Sequence, residues 1–374
     1  MKKISYLELS SILLTIIITL NSGITINILK NSSSIDSWIS IILSYIIGII
    51  PILLTIYISN YQDKLNIFEK SKKLFGILLG NIINILISII IFIIGITILY
   101  NITNFITTQY IYHTPILLTS IIFLSVVIYC STKEINVICH ISIILMSLNI
   151  ILYLLSSISL INEIKIDNLL PILKTNPLNI ITSSLKISSI NTLPTIILLI
   201  IPKDNITNKK KYNKSILISY IIGSILSIFT IISTISVLGI NLTKVFIYPE
   251  YMVLKKIKLL GFLERTENIL SMQWITESYI YLTIIIYTIS KNITNNHKKF
   301  IYNNIITGLL LVLTSNYIFK NITIFNNYIN NKFIYITSIL FIIYIIISIK
   351  IFINKRLHIK NNKWYNQIGD KYVF

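Results

Sequence analysis

The chain has few of the residues on which catalysis, metal binding and covalent cross-linking depend. Its 374 residues include 13 acidic residues, four histidines and two cysteines. Cys130 and Cys139 form neither a CxxC motif nor a Cys/His ligand spacing, which argues against a disulfide framework and a zinc site. Walker, GxGxxG, GxSxG and HExxH motifs are also absent from the sequence. We therefore predict a protein that is not an enzyme and that uses no metal or other cofactor.

Charged residues are scarce as well, and most of them are basic. Only 12% of the residues are charged, 54% are hydrophobic and the mean hydropathy is +0.80, so we expect the membrane lipid to be the solvent. The 32 basic residues give a net charge of +19, but they lie mostly in short loops between apolar runs. That pattern is typical of membrane topology and of contact with anionic headgroups. No basic stripe is interleaved with stacking aromatic residues, so nucleic acid is not a predicted partner.

Ten apolar runs are close to or above the roughly 20 residues that a helix needs to cross the hydrocarbon core. They cover residues 7–29, 37–59, 77–104, 114–132, 136–160, 179–201, 214–240, 266–290, 300–319 and 333–354. We number them spans one to ten. The sequence therefore predicts an all-α integral membrane protein with a single polytopic domain over residues 1–374. With the N-terminus inside, most basic residues fall in cytoplasmic segments, so both termini and the tail 355–374 are predicted to be cytoplasmic.

Span one contains a polar interruption, Asn21-Ser22-Gly23-Ile24-Thr25, in an otherwise Ile/Leu-rich helix. Glycine lacks a Cβ, and Asn, Ser and Thr side chains can bond backbone groups that a broken helix frees. The freed amides at the start of a second half-helix would favour a carboxylate. The same residues would also suit a small-residue packing face between helices, so both interpretations stay open.

Span six carries a second interruption, with Ser189, Asn191, Thr192 and Pro194 in sequence. Pro194 has no amide hydrogen and breaks the helical hydrogen-bond ladder. A simple proline kink would explain this residue alone. Two interrupted helices in one membrane protein nevertheless indicate a binding site near the bilayer midplane.

Several isolated polar residues lie within the other spans. Glu277 is a lone acid in span eight, where an unpaired charge is costly, so a proton-transfer or gating role competes with pairing to a lysine or placement near the interface. Thr97 and Tyr100 in span three are candidate ligand contacts, although Tyr100 also suits an interfacial aromatic belt. His140 in span five has no acidic partner visible in the sequence, which favours a structural hydrogen bond over proton transfer.

The segment Phe246–Trp274 is the most distinctive part of the chain, FIYPEYMVLKKIKLLGFLERTENILSMQW. An aromatic–proline element, a basic amphipathic stretch and Phe262-Leu263-Glu264-Arg265 lead into span eight. With Asp167–Leu173, DNLLPIL, this segment resembles the spore germination permeases of the APC superfamily, which are the B subunits (GerAB/GerKB type) of germinant receptors. The topology puts the first half of the segment outside the membrane, where it is expected to form a lid or a docking surface for a partner. The residues predicted for that surface are Tyr248, Pro249, Glu250, Phe262, Glu264 and Arg265.

The resemblance implies a LeuT-like fold with a 5+5 inverted repeat and broken helices one and six. The repeats would cover about 7–160 and 179–354. It also implies a germinant-sensing subunit in the inner membrane of a spore, in complex with A and C subunits. A small nutrient, expected to be an amino acid, would bind between spans one, three, six and eight. The predicted ligand-binding residues are Asn21, Ser22, Gly23, Thr25, Thr97, Tyr100, Ser189, Asn191, Thr192, Pro194, Thr283 and Tyr287.

The chain departs from the family at span six. Relatives often have Gly-Glu about nine residues before the proline that ends this span, which is Pro202 here, and Thr192 and Leu193 stand at those positions. A carboxylate that could receive an ammonium group is therefore missing. Two alternatives to a sensor remain: a proton-coupled amino-acid secondary transporter, with Glu277 or His140 as the coupling residue, and a structural receptor subunit that binds no ligand.

Overall fold

The chain folds almost entirely into helices. The computed structural model describes residues 3–255, 265–294 and 296–369. Within these residues there are thirteen α-helices: α1 Tyr6–Thr19, α2 Ile26–Ser32, α3 Ser37–Ser59, α4 Ile67–Gln109, α5 Ile116–Ser131, α6 Ile135–Leu160, α7 Pro177–Asn191, α8 Lys209–Val245, α9 Pro249–Lys255, α10 Glu267–Ile293, α11 His297–Ile318, α12 Ile322–Asn331 and α13 Phe333–Gly369. The predicted all-α class is confirmed.

The helices account for all ten predicted spans. In the described part of the chain, nine helical segments are long and apolar enough to cross a membrane. The shorter apolar helix α5 corresponds to predicted span four. Span one consists of α1 and α2 on either side of a break, and span six consists of α7 followed by the 3₁₀ segment Leu193–Ile200. Helices α9 and α12 are short and lie between spans.

Local sequence signals explain where several helices begin and bend. Ser5 and Glu8 form a reciprocal capping box at the start of α1, and Asn66 and Glu69 form another at the start of α4. Helix α4 bends at Gly76, whose φ of 81° is left-handed. The bend separates the charged stretch 67–75 from the apolar residues that follow, which explains why α4 starts ten residues before predicted span three.

Spans one, six and eight form the interior of the bundle. Helix α1 packs against α6, α8 and α10, and α3 packs against α7. Outer helices expose large apolar side chains, such as Ile77 and Leu78 of α4, which are 74% and 82% exposed. Such exposure is unfavourable in water but suits hydrocarbon, so these surfaces face lipid. The central helices are therefore the ones in a position to enclose a site.

Backbone contacts tie segments together at both ends of the bundle. At the end where the chain begins, the N–H of Ile4 donates to the carbonyl of Asn205 at 2.8 Å, and the N–H of Thr207 donates to the carbonyl of Ile4 at 2.9 Å. At the other end, the buried carboxylate of Asp36 accepts the N–H groups of Leu173 and Thr175, both at 2.7 Å. Both ends of the central helices are therefore linked to neighbouring loops.

Candidate functional site

The polar interruption in span one is a true break in the helix. Ser22 has a φ of −70° and a ψ of 122°, and Gly23 has a φ of +74°, so neither residue continues the helix. The N–H of Thr25 reaches back five residues to the carbonyl of Leu20, at 3.1 Å. A left-handed φ is readily adopted only by glycine, which explains Gly23 at this position. The backbone groups around Gly23 must therefore bond outside their own helix.

Side chains from spans three and eight close around the break. A Cβ on Gly23 would lie 2.9 Å from Asn101 Oδ1 and 2.9 Å from the indole of Trp274. The amide Nδ2 of Asn101 donates to the carbonyl of Ser22 at 3.0 Å. Gly23 is thus a point of close contact between three spans, with no gap beside it for a larger side chain to fill. Neither Asn101 nor Trp274 was among the predicted ligand-binding residues.

The free backbone amide of Gly23 is bonded to a carboxylate of the protein itself. Its N–H donates to Glu250 Oε1 at 3.1 Å, and Glu250 is only 3% exposed. Burial raises the pKa of Glu250 to about 7, against the opposing effects of its own backbone amide, the Gly23 amide and the charge of Lys30. The predicted surface position of Glu250 is therefore corrected: its carboxylate lies inside the protein, at the break.

One face of α2 holds the segment that leads into α9. Asn27 Nδ2 donates to the carbonyl of Ile247 at 3.4 Å, and Lys30 Nζ donates to the carbonyl of Phe246 at 2.6 Å. Asn27 and Lys30 are three residues apart on α2, so they lie on the same side of that helix, and Gly23 precedes it at the break. Together the three residues bind three groups of the 246–250 segment. The spacing of Asn27 and Lys30 could have suggested a polar face on α2. It could not have shown that this face binds the segment before α9.

An aromatic cluster covers the same region. Phe105 of α4 contacts the rings of Tyr248, Tyr251 and Trp274, with centroid distances of 5.2, 5.3 and 4.5 Å. Asn104 Nδ2 donates to the hydroxyl of Tyr248 at 2.5 Å. Tyr248 is 1% exposed, so its predicted surface position is also corrected.

Four other residues were predicted for the same surface, and the structure describes two of them. Pro249 is the first residue of α9 and is buried, which corrects its predicted position in the same way. Arg265 lies just before α10 and has a φ of +62°. Phe262 and Glu264 lie outside the described residues. Because most residues of α9 are buried, this helix packs over the break.

The break in span six lies beside the break in span one. Asn191, the last residue of α7, donates from Nδ2 to Asn21 Oδ1 at 3.1 Å, to Tyr45 Oη at 3.2 Å and to Thr25 Oγ1 at 3.4 Å. Pro194 is the second residue of the 3₁₀ segment that continues the span. The structure therefore brings Asn21, Thr25 and Asn191 together and adds Tyr45 of α3.

Two more predicted residues on span six form hydrogen bonds to other partners than Asn21, Thr25 and Asn191. The hydroxyl of Thr192 donates to the carbonyl of Ser188 on its own helix at 2.6 Å. Ser189 Oγ accepts from Thr337 Oγ1 of α13 at 3.2 Å. Both residues lie next to the break in span six. Neither has a described hydrogen bond to span one. Their predicted contact with a ligand stays a prediction.

The four predicted residues on spans three and eight have no described hydrogen bond to the break at Gly23. Thr97 and Thr283 donate to carbonyls of their own helices, at 2.9 and 2.7 Å. Tyr100 packs on Phe325 with a centroid distance of 4.9 Å, and Tyr287 packs on Phe300 at 5.2 Å. Thr283 lies nine residues beyond Trp274, about 13 Å along α10.

The two titratable residues considered for proton coupling both have partners. Glu277 is 1% exposed and is hydrogen-bonded by Tyr153 of α6. His140 lies 3.1 Å from the carboxylate of Glu8, measured from Nδ1 to Oε1. The expectation that His140 lacks an acidic partner is therefore wrong. Glu8 is 132 residues away in the sequence, so no local pattern could have revealed it.

The fold and the two adjacent breaks define a helical membrane protein with a LeuT-like fold. The chain is similar in structure to Mhp1, a nucleobase-cation-symport-1 family transporter in a closed conformation with bromovinylhydantoin bound. The TM-score is 0.65 at 13% identity, covering 93% of this chain and 78% of Mhp1. It is also similar to MhsT in complex with L-phenylalanine, with a TM-score of 0.60 at 15% identity, covering 91% of this chain and 89% of MhsT. At these identities the likeness concerns the fold.

The chain belongs to the spore germination permease family, described as Spore germination protein, whose profile matches residues 3–322. It is also 30% identical over 92 residues to the putative spore germination protein YfkT of Bacillus subtilis (strain 168). That match covers 23% of this chain and 26% of the relative, so the chain matches about a quarter of the relative's length. The predicted family is confirmed.

Proposed function

We propose that this protein is the nutrient-sensing membrane subunit of a spore germination receptor. It would lie in the inner membrane of the spore with both termini in the cytoplasm, and would act without catalysis in complex with A and C subunits. Membership of the spore germination permease family and the LeuT-like fold support this proposal. Binding of a nutrient would favour one of two arrangements of the helix bundle, and the partner subunits would respond to that arrangement.

The observation that supports the proposed ligand class is the hydrogen bond of the Gly23 amide. Its N–H is free of its own helix and bonds a carboxylate, that of Glu250. A backbone N–H at a helix break is suited to an anionic group, and the carboxylate of a free amino acid has the same chemistry. We therefore propose that an amino acid binds at the breaks, near Asn21, Gly23 and Asn191.

Spores that lack this gene test the proposal. They are expected to lose the germination response to at least one L-amino acid, and the wild-type gene supplied in trans should restore it. Responses to nutrients detected through other receptors serve as the control. A deletion strain that answers every amino acid as the parent does would contradict a sensing role.

A proton-coupled amino-acid transporter is the second candidate, because Glu277 is a buried acid in a central span. The purified protein in liposomes would then concentrate a radiolabelled amino acid under a proton gradient, and Glu277→Gln would abolish uptake. A sensor shows saturable binding without concentrative uptake. A structural subunit that binds no ligand is favoured by the missing carboxylate in span six, and would show neither.

A further inference from the structure

The contact between Glu250 and Gly23 places a carboxylate of the protein where the carboxylate of an amino acid would bind. We propose that Glu250 is a tethered competitor: a bound amino acid takes the Gly23 N–H from Glu250, and the displaced carboxylate releases α9 from the break. This inference rests on the proposed function and identifies the residue that couples ligand binding to a movement.

The geometry allows one carboxylate at a time. A backbone amide has a single N–H, and here it is directed at Glu250 Oε1, 3.1 Å away. A second carboxylate at the same amide would meet a like charge in a buried setting, which is unfavourable. An amino acid that bonds Gly23 must therefore replace Glu250 rather than bind beside it.

An unused acceptor lies next to the same amide. Asn101 is 2% exposed, and among the described residues its Oδ1 has no hydrogen-bond partner. This oxygen would be 2.9 Å from a Cβ on Gly23, so it faces the break. A buried acceptor without a donor is costly, and the ammonium group of an amino acid would supply the donor. Glu250 has no donor to offer when it is ionised, so an amino acid satisfies the break more completely.

Glu250 is held in a way that permits its release. The positive charge of Lys30 acts on Glu250. The hydrogen bond of Lys30 Nζ, however, goes to the carbonyl of Phe246, 2.6 Å away. No described ion pair includes Glu250. Its pKa of about 7 shows that burial disfavours the charged form. The ionised carboxylate is therefore disfavoured where it lies at the break.

A narrow cleft lies beside Glu250. Glu250 itself lines this cleft between α6 and α8, together with Tyr153, Ser156, Thr230 and Ser233. Movement of Glu250 away from Gly23 would shift α9, because the residue is near the start of that seven-residue helix. Helix α9 packs against both α8 and α10, so its release would reach two spans.

Three substitutions separate a competitor from a ligand contact. Glu250→Ala removes the acceptor, and Glu250→Asp shortens the side chain by one methylene while keeping its charge. Glu250→Gln retains a neutral acceptor of the same size. Glu163→Gln, an exposed acid at the same end of the bundle, is the matched control. The full-length proteins in lipid nanodiscs are titrated with a panel of L-amino acids and with the corresponding α-amides.

Removal of the Glu250 carboxylate should raise the affinity for ligands that carry a carboxylate and not the affinity for their α-amides. We expect Glu250→Ala and Glu250→Asp to bind responsive L-amino acids about tenfold more tightly than wild type, because the competing closed state is removed. Glu250→Gln should bind no more tightly than wild type, and the α-amides should show no gain. Weaker amino-acid binding by both Ala and Asp variants would overturn the proposal, since Glu250 would then be a direct ligand contact.

A measurement without any amino acid tests α9 by itself. Lys255 at the end of α9 is exposed, whereas Cys130 and Cys139 are buried, so a Lys255→Cys thiol can be labelled selectively with a maleimide. Labelling should be several-fold faster with Glu250→Ala than with Glu250 intact. If no panel member binds either protein, the proposed ligand class is wrong. Faster labelling would then still support the release of α9, and equal rates would overturn it.

Discussion

Gly23 combines two demands that only glycine meets together. Its φ of +74° is left-handed, and its Cα lies so close to Asn101 and Trp274 that a Cβ would be 2.9 Å from each. The first demand concerns the backbone alone, and the second concerns the packing of spans one, three and eight. Glu250 adds a third constraint, because its hydrogen bond fixes the direction of the Gly23 N–H.

Gly23→Ala should therefore impair the nutrient response more than backbone strain explains. The left-handed φ costs an alanine roughly 1–2 kcal/mol, and the collision adds to that cost. Gly76→Ala is the matched control, because Gly76 has a φ of +81° but no neighbour within 4 Å of a Cβ. We expect at least a tenfold rise in the amino-acid concentration needed for germination with Gly23→Ala, and little change with Gly76→Ala. Equal effects would assign the loss to backbone strain.

The closed position of Glu250 should depend on pH. Its pKa of about 7 exceeds the ordinary value of 4.5, so the closed form binds more protons than the open form between these values. The closed form is therefore most favoured below pH 4.5 and loses that advantage as the pH rises to about 7. The described charged or titratable groups that act on Glu250 are Lys30, Tyr153 and Tyr248.

Maleimide labelling at Lys255→Cys, corrected with an exposed reference cysteine, should consequently increase from pH 5 to pH 7 and then level off. Glu250→Gln cannot ionise and should abolish the pH dependence. A wild-type slope that persists in the Gln variant would assign the titration to another group.

At the scale of elements, α9 packs against α8 and α10, and the residues just before it are bonded by α2. Lys30 is 5% exposed and its ammonium bonds the carbonyl of Phe246, three residues before α9. A buried hydrogen bond from a charged donor contributes about 1.5–3 kcal/mol. Helix α2 therefore holds the loop between spans seven and eight through hydrogen bonds to its backbone.

Lys30→Met keeps the length of the side chain and removes the donor. It should increase labelling at Lys255→Cys about three- to tenfold, since the carbonyl of Phe246 loses its partner. Lys209→Met is the control, because Lys209 is exposed and pairs with Asp204 far from α9. Similar labelling rates in the two variants would mean that α9 does not depend on Lys30.

At the scale of the whole molecule, the chain start is tied to the loop that follows span six. Ile4 both donates to Asn205 and accepts from Thr207 through its backbone. This short pairing joins the first residues before span one to the end of span six, the two broken helices of the bundle. It therefore links the two spans whose breaks form the site.

Ile4→Pro should weaken this connection by removing the N–H that bonds Asn205, which costs about 1–3 kcal/mol. The midpoint of thermal unfolding of the purified protein should fall by several degrees. Ile4→Val leaves the backbone donor intact and should change the midpoint little. A midpoint that is the same in Ile4→Pro and Ile4→Val would show that the pairing is not stabilising.

Much of the architecture could be predicted because hydropathy is a local property. Predicted span two, 37–59, coincides with α3, Ser37–Ser59, and both breaks lie at the predicted polar interruptions. The contacts of Glu250 could not be predicted in the same way. It lies 227 residues from Gly23 in the sequence, and an acid in a polar loop suggests exposure. The run Tyr248-Pro249-Glu250, aromatic and irregular, was the only local sign of an inward-facing segment.

The sequence by itself determined the membrane class, the number of spans, the family and the places where spans one and six break. Each of these follows from apolar runs, motifs and single Gly or Pro residues, whose effects are confined to a few neighbours. Only the tertiary structure decided what meets the break. Asn101, Trp274 and Glu250 come from three separate elements, and they converge on Gly23 because the spans pack around it.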